Sequence, residues 1–116
     1  MHELAITENI LNIALSEAKR NNASRVTEIR IVMGELSTFV PECVQEYFNL
    51  LSEDTEAYRA KLSFTTIPAC ACCNDCGTSF HIKNFYPKCP ECNSLKVKIT
   101  SGREFYVDSL DIETDD

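Results

Sequence analysis

Two pairs of cysteines, CNDC at Cys73 and Cys76 and CPEC at Cys89 and Cys92, constrain the fold of this 116-residue chain most strongly. Two residues between cysteines let a tight turn direct both sulfurs at one ion, and two such turns complete a tetrahedron. Soft thiolates in that geometry favour Zn²⁺, with iron second. The chain has seven cysteines, an odd number, and six of them lie between Cys70 and Cys92, so metal binding explains them better than a disulfide framework. These four cysteines are the predicted ligands of a structural zinc ion.

The remaining cysteines leave an alternative open. In CACC, Cys70 and Cys73 also form a CxxC pair, so the register of zinc ligation could slip. We prefer Cys73 because its partner Cys76 is followed by a glycine, which gives the open backbone that such turns use. Cys70 and Cys72 are then spare thiols, and a redox-sensing disulfide between them is a minor alternative. Cys43, on a predicted helix, is expected to be a small buried apolar residue.

Five segments outside the cysteine-rich region have clear apolar periodicity. Apolar residues recur at helical spacing in two of them and alternate with polar residues in the other three. Pro41 suits the first turn of the second helix, where Val44, Tyr47, Phe48 and Leu51 form an apolar stripe. The predicted elements are helices at 3–21 and within 37–53, and strands at 25–34, 60–68 and 103–113.

These elements predict an α+β fold in which two helices pack on a three-stranded sheet, with a zinc-ribbon-like module inserted between the last two strands. The domains are then residues 1–68 plus 102–116, which form the α+β domain, and residues 69–101, which form the zinc-binding domain. The inserted segment is too poor in apolar residues to hold itself together without a metal. In the last strand, a bulge or bend near Ser109 and Leu110 would place Leu110 and Ile112 either on the face of Phe105 or on the opposite face, and the sequence leaves both open.

Composition excludes several functional classes. The formal charge is −7, and the four lysines between residues 70 and 101 outnumber the acidic residues there by only two. Four zinc-bound thiolates would cancel that excess, so no basic groove for nucleic acid is expected. No apolar run reaches the roughly 20 residues of a membrane helix, and no secretory signal is recognisable, so the chain is expected to be cytoplasmic. The sequence has no recognisable nucleophile–base pair and no glycine-rich phosphate-binding loop, so an enzyme is not expected.

The first three residues, Met1, His2 and Glu3, form a potential metal chelate. The Met1 amine, the His2 backbone nitrogen and the His2 ring nitrogen can bind one ion through adjacent five- and six-membered rings. Loss of the amide proton suits Ni(II) and Cu(II), and the nitrogen-rich plane matches their square-planar preference. Glu3 can give a fourth donor through its backbone nitrogen, or its carboxylate can orient His2. His81 is read as a polar residue of the zinc hairpin, with a role as a supplementary ligand as the alternative.

Several segments together closely resemble the HypA/HybF family of nickel-insertion accessory proteins for [NiFe] hydrogenase. The resemblance covers essentially the whole chain in the right order. Asn93 stands where the family often has glycine or histidine after the last cysteine. The matching segments are the opening Met1-His2-Glu3, GELSTFVPE at 34–42, IPA at 67–69, the two CxxC pairs and GREFYVDSLDIE at 102–113.

The resemblance implies a cytoplasmic metallochaperone that binds Ni(II) at Met1, His2 and Glu3 and delivers it to the hydrogenase large-subunit precursor. It also implies a structural Zn²⁺ on the four cysteines, a maturation GTPase of the same pathway as a partner and, in some organisms, the urease accessory system. We expect a monomer or weak homodimer, and no nucleic-acid or membrane partner. The alternative function is a zinc-stabilised adaptor that binds a protein or nucleic acid and never needs nickel.

Overall fold

The computed structural model describes residues 2–83 and 86–115, and of His2 only the backbone. The chain divides into two compact units. The first combines Met1–Ile31, Thr38–Thr65 and Tyr106–Asp116, and the second combines Val32–Ser37 with Thr66–Phe105. Within the described residues, no helix is both long enough and apolar enough to cross a bilayer.

Two helices and six strands follow one another in the part of the chain that the structure describes. All five elements predicted from periodicity are present, with bounds that differ by a few residues at most. The helices are α1 (His2–Arg20) and α2 (Pro41–Leu51). The strands are β1 (Ala23–Gly34), β2 (Lys61–Ile67), β3 (Cys70–Cys73), β4 (Ser79–His81), β5 (Val97–Ser101) and β6 (Phe105–Thr114).

The predicted α+β fold is confirmed. Strands β2, β1 and β6 form a three-stranded sheet in that order, and α1 packs against α2. The apolar residues of β1 alternate as expected, and Ile29 and Ile31 are almost wholly inaccessible. Pro41 lies in the first turn of α2, where its missing N–H costs no helical hydrogen bond. The core of the first unit contains Ile10, Ala14, Val26, Ile29, Val44 and Phe48.

Two expectations about α2 need correction. Val44 and Phe48 are fully buried, but Tyr47 of the same predicted stripe is 39% exposed. The buried face of this helix is therefore narrower than the periodicity suggests. Cys43, expected to be buried, is exposed. Its position directly before Val44 places it about 100° away around the helix, outside the core-facing stripe.

In strand β6 the alternation of burial changes phase at Leu110. From Phe105 to Ser109 alternate residues are partly buried, and then the adjacent Leu110 is partly buried as well. Ile112 continues the new phase. This shift by one residue has the pattern of the bulge or bend predicted near Ser109 and Leu110.

The second unit contains a small antiparallel sheet with the order β4-β3-β5. Ala69, Ala71 and Ile82 form its buried cluster, so this unit has a minimal apolar core. Val32–Ser37, which the sequence-based division assigned to the other domain, lie in this unit. The reason is local: the N–H of Glu35 donates to the carbonyl of Ile67 (2.8 Å).

Candidate metal centre

Each CxxC pair lies in a tight turn that the backbone closes in the same way. The N–H of Gly77 donates to the carbonyl of Cys73, and the N–H of Asn93 donates to that of Cys89, both at 2.9 Å. Gly77 (φ +76°) and Asn93 (φ +62°) both have left-handed backbone conformations. Asparagine adopts this region more readily than most side-chain-bearing residues, which explains how Asn93 replaces a glycine in the second turn.

The two turns bring four sulfurs together. The Sγ atoms of Cys73, Cys76, Cys89 and Cys92 all lie within 4.8 Å of one another. The Cys73–Cys92 and Cys76–Cys89 sulfur pairs are each 3.5 Å apart. Zn–S bonds of about 2.3 Å at tetrahedral angles require sulfurs roughly 3.8 Å apart, so the donor set fits a zinc ion. The structure therefore brings together all four predicted ligands. Cys70, the alternative ligand in place of Cys76, is not part of this cluster.

One sulfur of each pair is buried and the other exposed. Cys73 and Cys89 are buried, whereas Cys76 and Cys92 reach the surface. Hydrogen bonds from the Thr78 hydroxyl and backbone N–H lower the pKa of the Cys76 thiol to about 6. The Ser94 backbone N–H lowers the pKa of Cys92, but hydrogen bonds with the neighbouring sulfurs, that of Cys73 foremost, and desolvation outweigh that effect and raise it to about 12. The two exposed thiols thus differ in pKa, and a thiol that is still protonated loses its proton when a metal ion binds.

A side-chain hydrogen bond joins the two turns outside the sulfur cluster. The hydroxyl of Ser94 donates to the carboxylate of Asp75 at 2.5 Å. The N–H of Lys96 in turn donates to the Ser94 hydroxyl at 3.0 Å, which orients it. Asp75 lies within the first pair, between Cys73 and Cys76, and Ser94 follows the second, so this contact helps to hold the two turns at a fixed separation. The sequence reasoning missed it.

Comparison with known proteins identifies the family. The family profile described as "Hydrogenase/urease nickel incorporation, metallochaperone, hypA" matches residues 1–112. This chain belongs to the HypA family. The hydrogenase maturation factor HypA of Caldanaerobacter subterraneus subsp. tengcongensis is 38% identical over 114 residues, covering 97% of this chain and 100% of the relative. That of Moorella thermoacetica is 37% identical over 108 residues, covering 93% and 96%.

A solved structure supports the same assignment. The chain is similar to one described as the solution structure of HypA protein, with a TM-score of 0.72 and 25% identity. The match covers 97% of this chain and 96% of that one. The resemblance stated from the sequence is thereby confirmed, and the chain is a member of a family of nickel-incorporation metallochaperones.

The nickel ligands expected in a HypA protein are only partly described. Met1 and the side chain of His2 lie outside the described residues. Glu3 lies in the first turn of α1. Hydrogen bonds from its own backbone N–H and from that of Val40 lower the pKa of the Glu3 carboxyl. The positive end of the α1 dipole also favours a negative charge there. Glu3 is therefore an ionised carboxylate at the start of the helix.

His81 has a carboxylate partner that the sequence did not reveal. Its Nε2 lies 2.7 Å from Oε1 of Glu35. The same carboxylate oxygen accepts a hydrogen bond from the N–H of Ala69 at 2.8 Å. The hydrogen bond from the Ala69 N–H and, to a smaller extent, the contact with His81 lower the pKa of the Glu35 carboxyl. His81 is not part of the cluster formed by Cys73, Cys76, Cys89 and Cys92. The alternative that it is a supplementary ligand of that cluster is therefore not supported.

Proposed function

We propose that this HypA protein is a non-enzymatic carrier that binds Ni(II) at its amino terminus and delivers it to the [NiFe] hydrogenase large-subunit precursor. Family membership, which covers residues 1–112, is the observation that carries the proposal. The Met1 amine, the backbone and ring nitrogens of His2, and Glu3 form the proposed nickel site. A Zn²⁺ ion bound by the four cysteines of the two CxxC pairs forms the proposed structural site.

The two sites differ in chemistry as a carrier requires. Four thiolates, two of them buried, form a closed set that leaves no position for a substrate or exchanging ligand. The terminal site depends on a few ligands at the chain end, and its backbone nitrogen regains a proton when the metal leaves. Zinc therefore stabilises the fold, whereas nickel can be exchanged.

The carboxylate of Glu3 supports the terminal site. Its lowered pKa keeps it negatively charged at neutral pH. A negative charge beside an imidazole raises the basicity of the ring and orients it toward a metal. The Glu3 carboxylate can therefore assist His2 whether or not the Glu3 backbone nitrogen is itself a donor.

Delivery involves partners that the sequence implies through its family. We propose a cytoplasmic protein, monomeric or weakly dimeric, that works with the maturation GTPase of the same pathway. The GTPase supplies the nucleotide hydrolysis, because the chain has no phosphate-binding loop of its own. The urease accessory proteins are a second destination in organisms that have them. Neither nucleic acid nor membrane is part of the proposal.

Nickel calorimetry on untagged protein tests the site. We expect one equivalent of Ni(II) to bind the unsubstituted chain, and His2→Ala or one extra residue ahead of Met1 to abolish stoichiometric binding. Glu8→Gln, an exposed carboxylate on the same helix, is the matched control and should bind nickel normally. Glu3→Gln separates the two possible roles of Glu3, because it removes the carboxylate and keeps the backbone nitrogen. A loss of about 10- to 100-fold in nickel affinity would show that the carboxylate contributes.

X-ray absorption then locates the ions. Nickel should have nitrogen and oxygen neighbours, and zinc should have four sulfurs. Unchanged nickel affinity in both His2→Ala and the extended chain would contradict the carrier function and favour the adaptor alternative. Zinc content should be the same in all of these variants.

A further inference from the structure

Two cysteines and a histidine that neither proposed site uses lie on one face of the β4-β3-β5 sheet. Cys70 and Cys72 are half-buried, whereas Ala71 and Cys73, which alternate with them on β3, are buried. Successive side chains of a strand point to opposite faces, so Cys70 and Cys72 share the face opposite Cys73. His81 lies directly across from Cys70 on β4 and is exposed on that same face.

The register brings Cys70 and His81 especially close. The neighbouring pair, Ala69 and Ile82, is joined by a hydrogen bond from the Ile82 N–H to the Ala69 carbonyl at 2.8 Å. Hydrogen-bonded and non-hydrogen-bonded pairs alternate along antiparallel strands, so Cys70 and His81 form a non-hydrogen-bonded pair. The Cβ atoms of such pairs are about 4.5–5.5 Å apart. A thiolate and an imidazole at that spacing can share one ion.

Glu35 prepares His81 for such a role. Its carboxylate lies at Nε2 of the ring (2.7 Å) and is itself fixed by the N–H of Ala69 (2.8 Å). A neutral imidazole that donates Nε2–H to a carboxylate has its lone pair on Nδ1. Metal-binding histidines are typically oriented by a carboxylate on their second nitrogen. The Glu35–His81 pair has that arrangement on a residue with no other assigned function.

We infer that Cys70, Cys72 and His81 form a second metal site for a thiophilic divalent ion of the Zn²⁺ class, with Glu35 as a positioning residue. Two thiolates and an imidazole are a known ligand set for zinc sites that keep a fourth, open position for water. The Sγ of Cys72 now lies 3.7 Å from the carbonyl oxygen of Gly77. Among the described residues only the four-cysteine cluster has its ligand atoms already gathered, so binding at the second site requires the Cys72 sulfur to turn from the Gly77 carbonyl toward Cys70.

The second site differs from the four-cysteine site in two respects. It has two thiolates instead of four, and its ligands are half-buried or exposed. Its affinity for Zn²⁺ should therefore be lower and its exchange faster. The inference does not depend on the proposed nickel function, because none of its residues belongs to the amino-terminal site.

Cobalt titration tests the inference. The full-length His2→Ala chain, reduced and carrying one zinc ion, removes the amino-terminal site from the measurement. Co²⁺ added without oxygen should bind as a further equivalent, with sulfur-to-cobalt charge-transfer absorption and two sulfur neighbours by X-ray absorption. Glu35→Gln should lower its affinity about 10- to 100-fold. Cys70→Ser, Cys72→Ser and His81→Gln should each lower it further, whereas Cys43→Ser, an exposed thiol on α2, should leave it unchanged.

A second measurement needs no substitution at the site. Bound Co²⁺ or Zn²⁺ should protect Cys70 and Cys72 from alkylation by iodoacetamide, while Cys43 should react at the same rate with or without the ion. Absence of a further equivalent, its retention in the Cys70→Ser/Cys72→Ser double variant, or equal alkylation rates would each overturn the inference. Because His2 is already replaced in the titration, these results would leave the nickel proposal unaffected.

Discussion

The backbone of Gly102 occupies the space that a side chain on Gly34 would need. A Cβ atom added to Gly34 would lie 2.0 Å from the carbonyl oxygen of Gly102 and 2.1 Å from its carbonyl carbon. Hydrogen bonds hold the two segments at this distance: Gly34 N–H donates to the Glu104 carbonyl (2.7 Å), and Leu36 N–H donates to that of Gly102 (2.8 Å). The close approach attaches the 32–37 segment to the rest of the second unit.

Gly34→Ala should therefore destabilise the second unit by roughly 3 kcal/mol, at the upper end of overpacking costs, because backbone atoms rather than a side chain must move. Urea unfolding of the zinc-loaded protein measures the change. Gly77→Ala is the matched control: nothing lies within 4 Å of its added Cβ, so only its φ of +76° opposes the substitution. That control should cost about 1–2 kcal/mol. Equal stability of Gly34→Ala and the unsubstituted protein would show that the close approach does not matter.

Phe48→Ala should cost about 3–5 kcal/mol of unfolding free energy, because the ring is fully buried and its removal leaves a cavity. Tyr47→Ala, one residue earlier on α2 and 39% exposed, should cost much less. Thermal unfolding followed by far-ultraviolet circular dichroism compares the two. Similar losses in both variants would mean that the core of the first unit does not depend on the face of α2 assigned here.

Cys89→Ser should abolish stoichiometric zinc binding and unfold the second unit, since three thiolates leave the tetrahedron incomplete and the apolar cluster there is small. Cys43→Ser removes a thiol of α2 and should retain one zinc per chain. Elemental analysis and amide exchange measure the two effects. Helical signal from α1 and α2 should persist in Cys89→Ser. A full zinc equivalent in that variant would contradict the ligand assignment.

Ser94→Ala should accelerate zinc loss to a chelator, because it removes the hydrogen bond to Asp75 that joins the two cysteine turns. Contacts of this kind around metal ligands are worth about 10- to 100-fold in affinity. Thr100→Ala, an exposed hydroxyl of β5, serves as the control. Chelator-competition kinetics that do not distinguish the two variants would count against a supporting role for the contact.

Asp111→Asn should lower the thermal midpoint of the first unit at neutral pH but not in acid. The Arg30 guanidinium, 2.6 Å from the Asp111 carboxylate, holds the pKa of that carboxyl below its usual value. A lowered pKa contributes stability above the unfolded value of about 3.9, and that contribution disappears as pH falls through the folded pKa. The effect is small because both side chains are substantially exposed, and salt should weaken it.

Melting curves of Asp111→Asn and of the unsubstituted chain are recorded side by side from neutral pH into acid. The difference between the two midpoints at each pH is then free of any effect of zinc loss that both proteins share. Asp115→Asn, on the exposed tail, is the control. A difference that persists undiminished at the acid end would rule out the ion pair as its cause.

The sequence by itself determined the features that depend on local spacing. Periodicity located both helices and three strands, because burial of one face repeats every 3.6 or 2 residues. Two CxxC turns predicted which cysteines converge, because a turn that directs two sulfurs at one ion needs only four residues. Motifs along the whole length were enough to indicate the HypA family.

Only the tertiary structure decided which surfaces those elements present. The contacts of Gly34 with Gly102 and of Glu35 with His81 join residues 68 and 46 positions apart, which no local pattern encodes. The exposure of Cys43 and Tyr47 likewise depends on how wide a face of α2 its neighbours cover. Periodicity shows that a helix buries one side, but the packing of other segments against that side determines where burial ends.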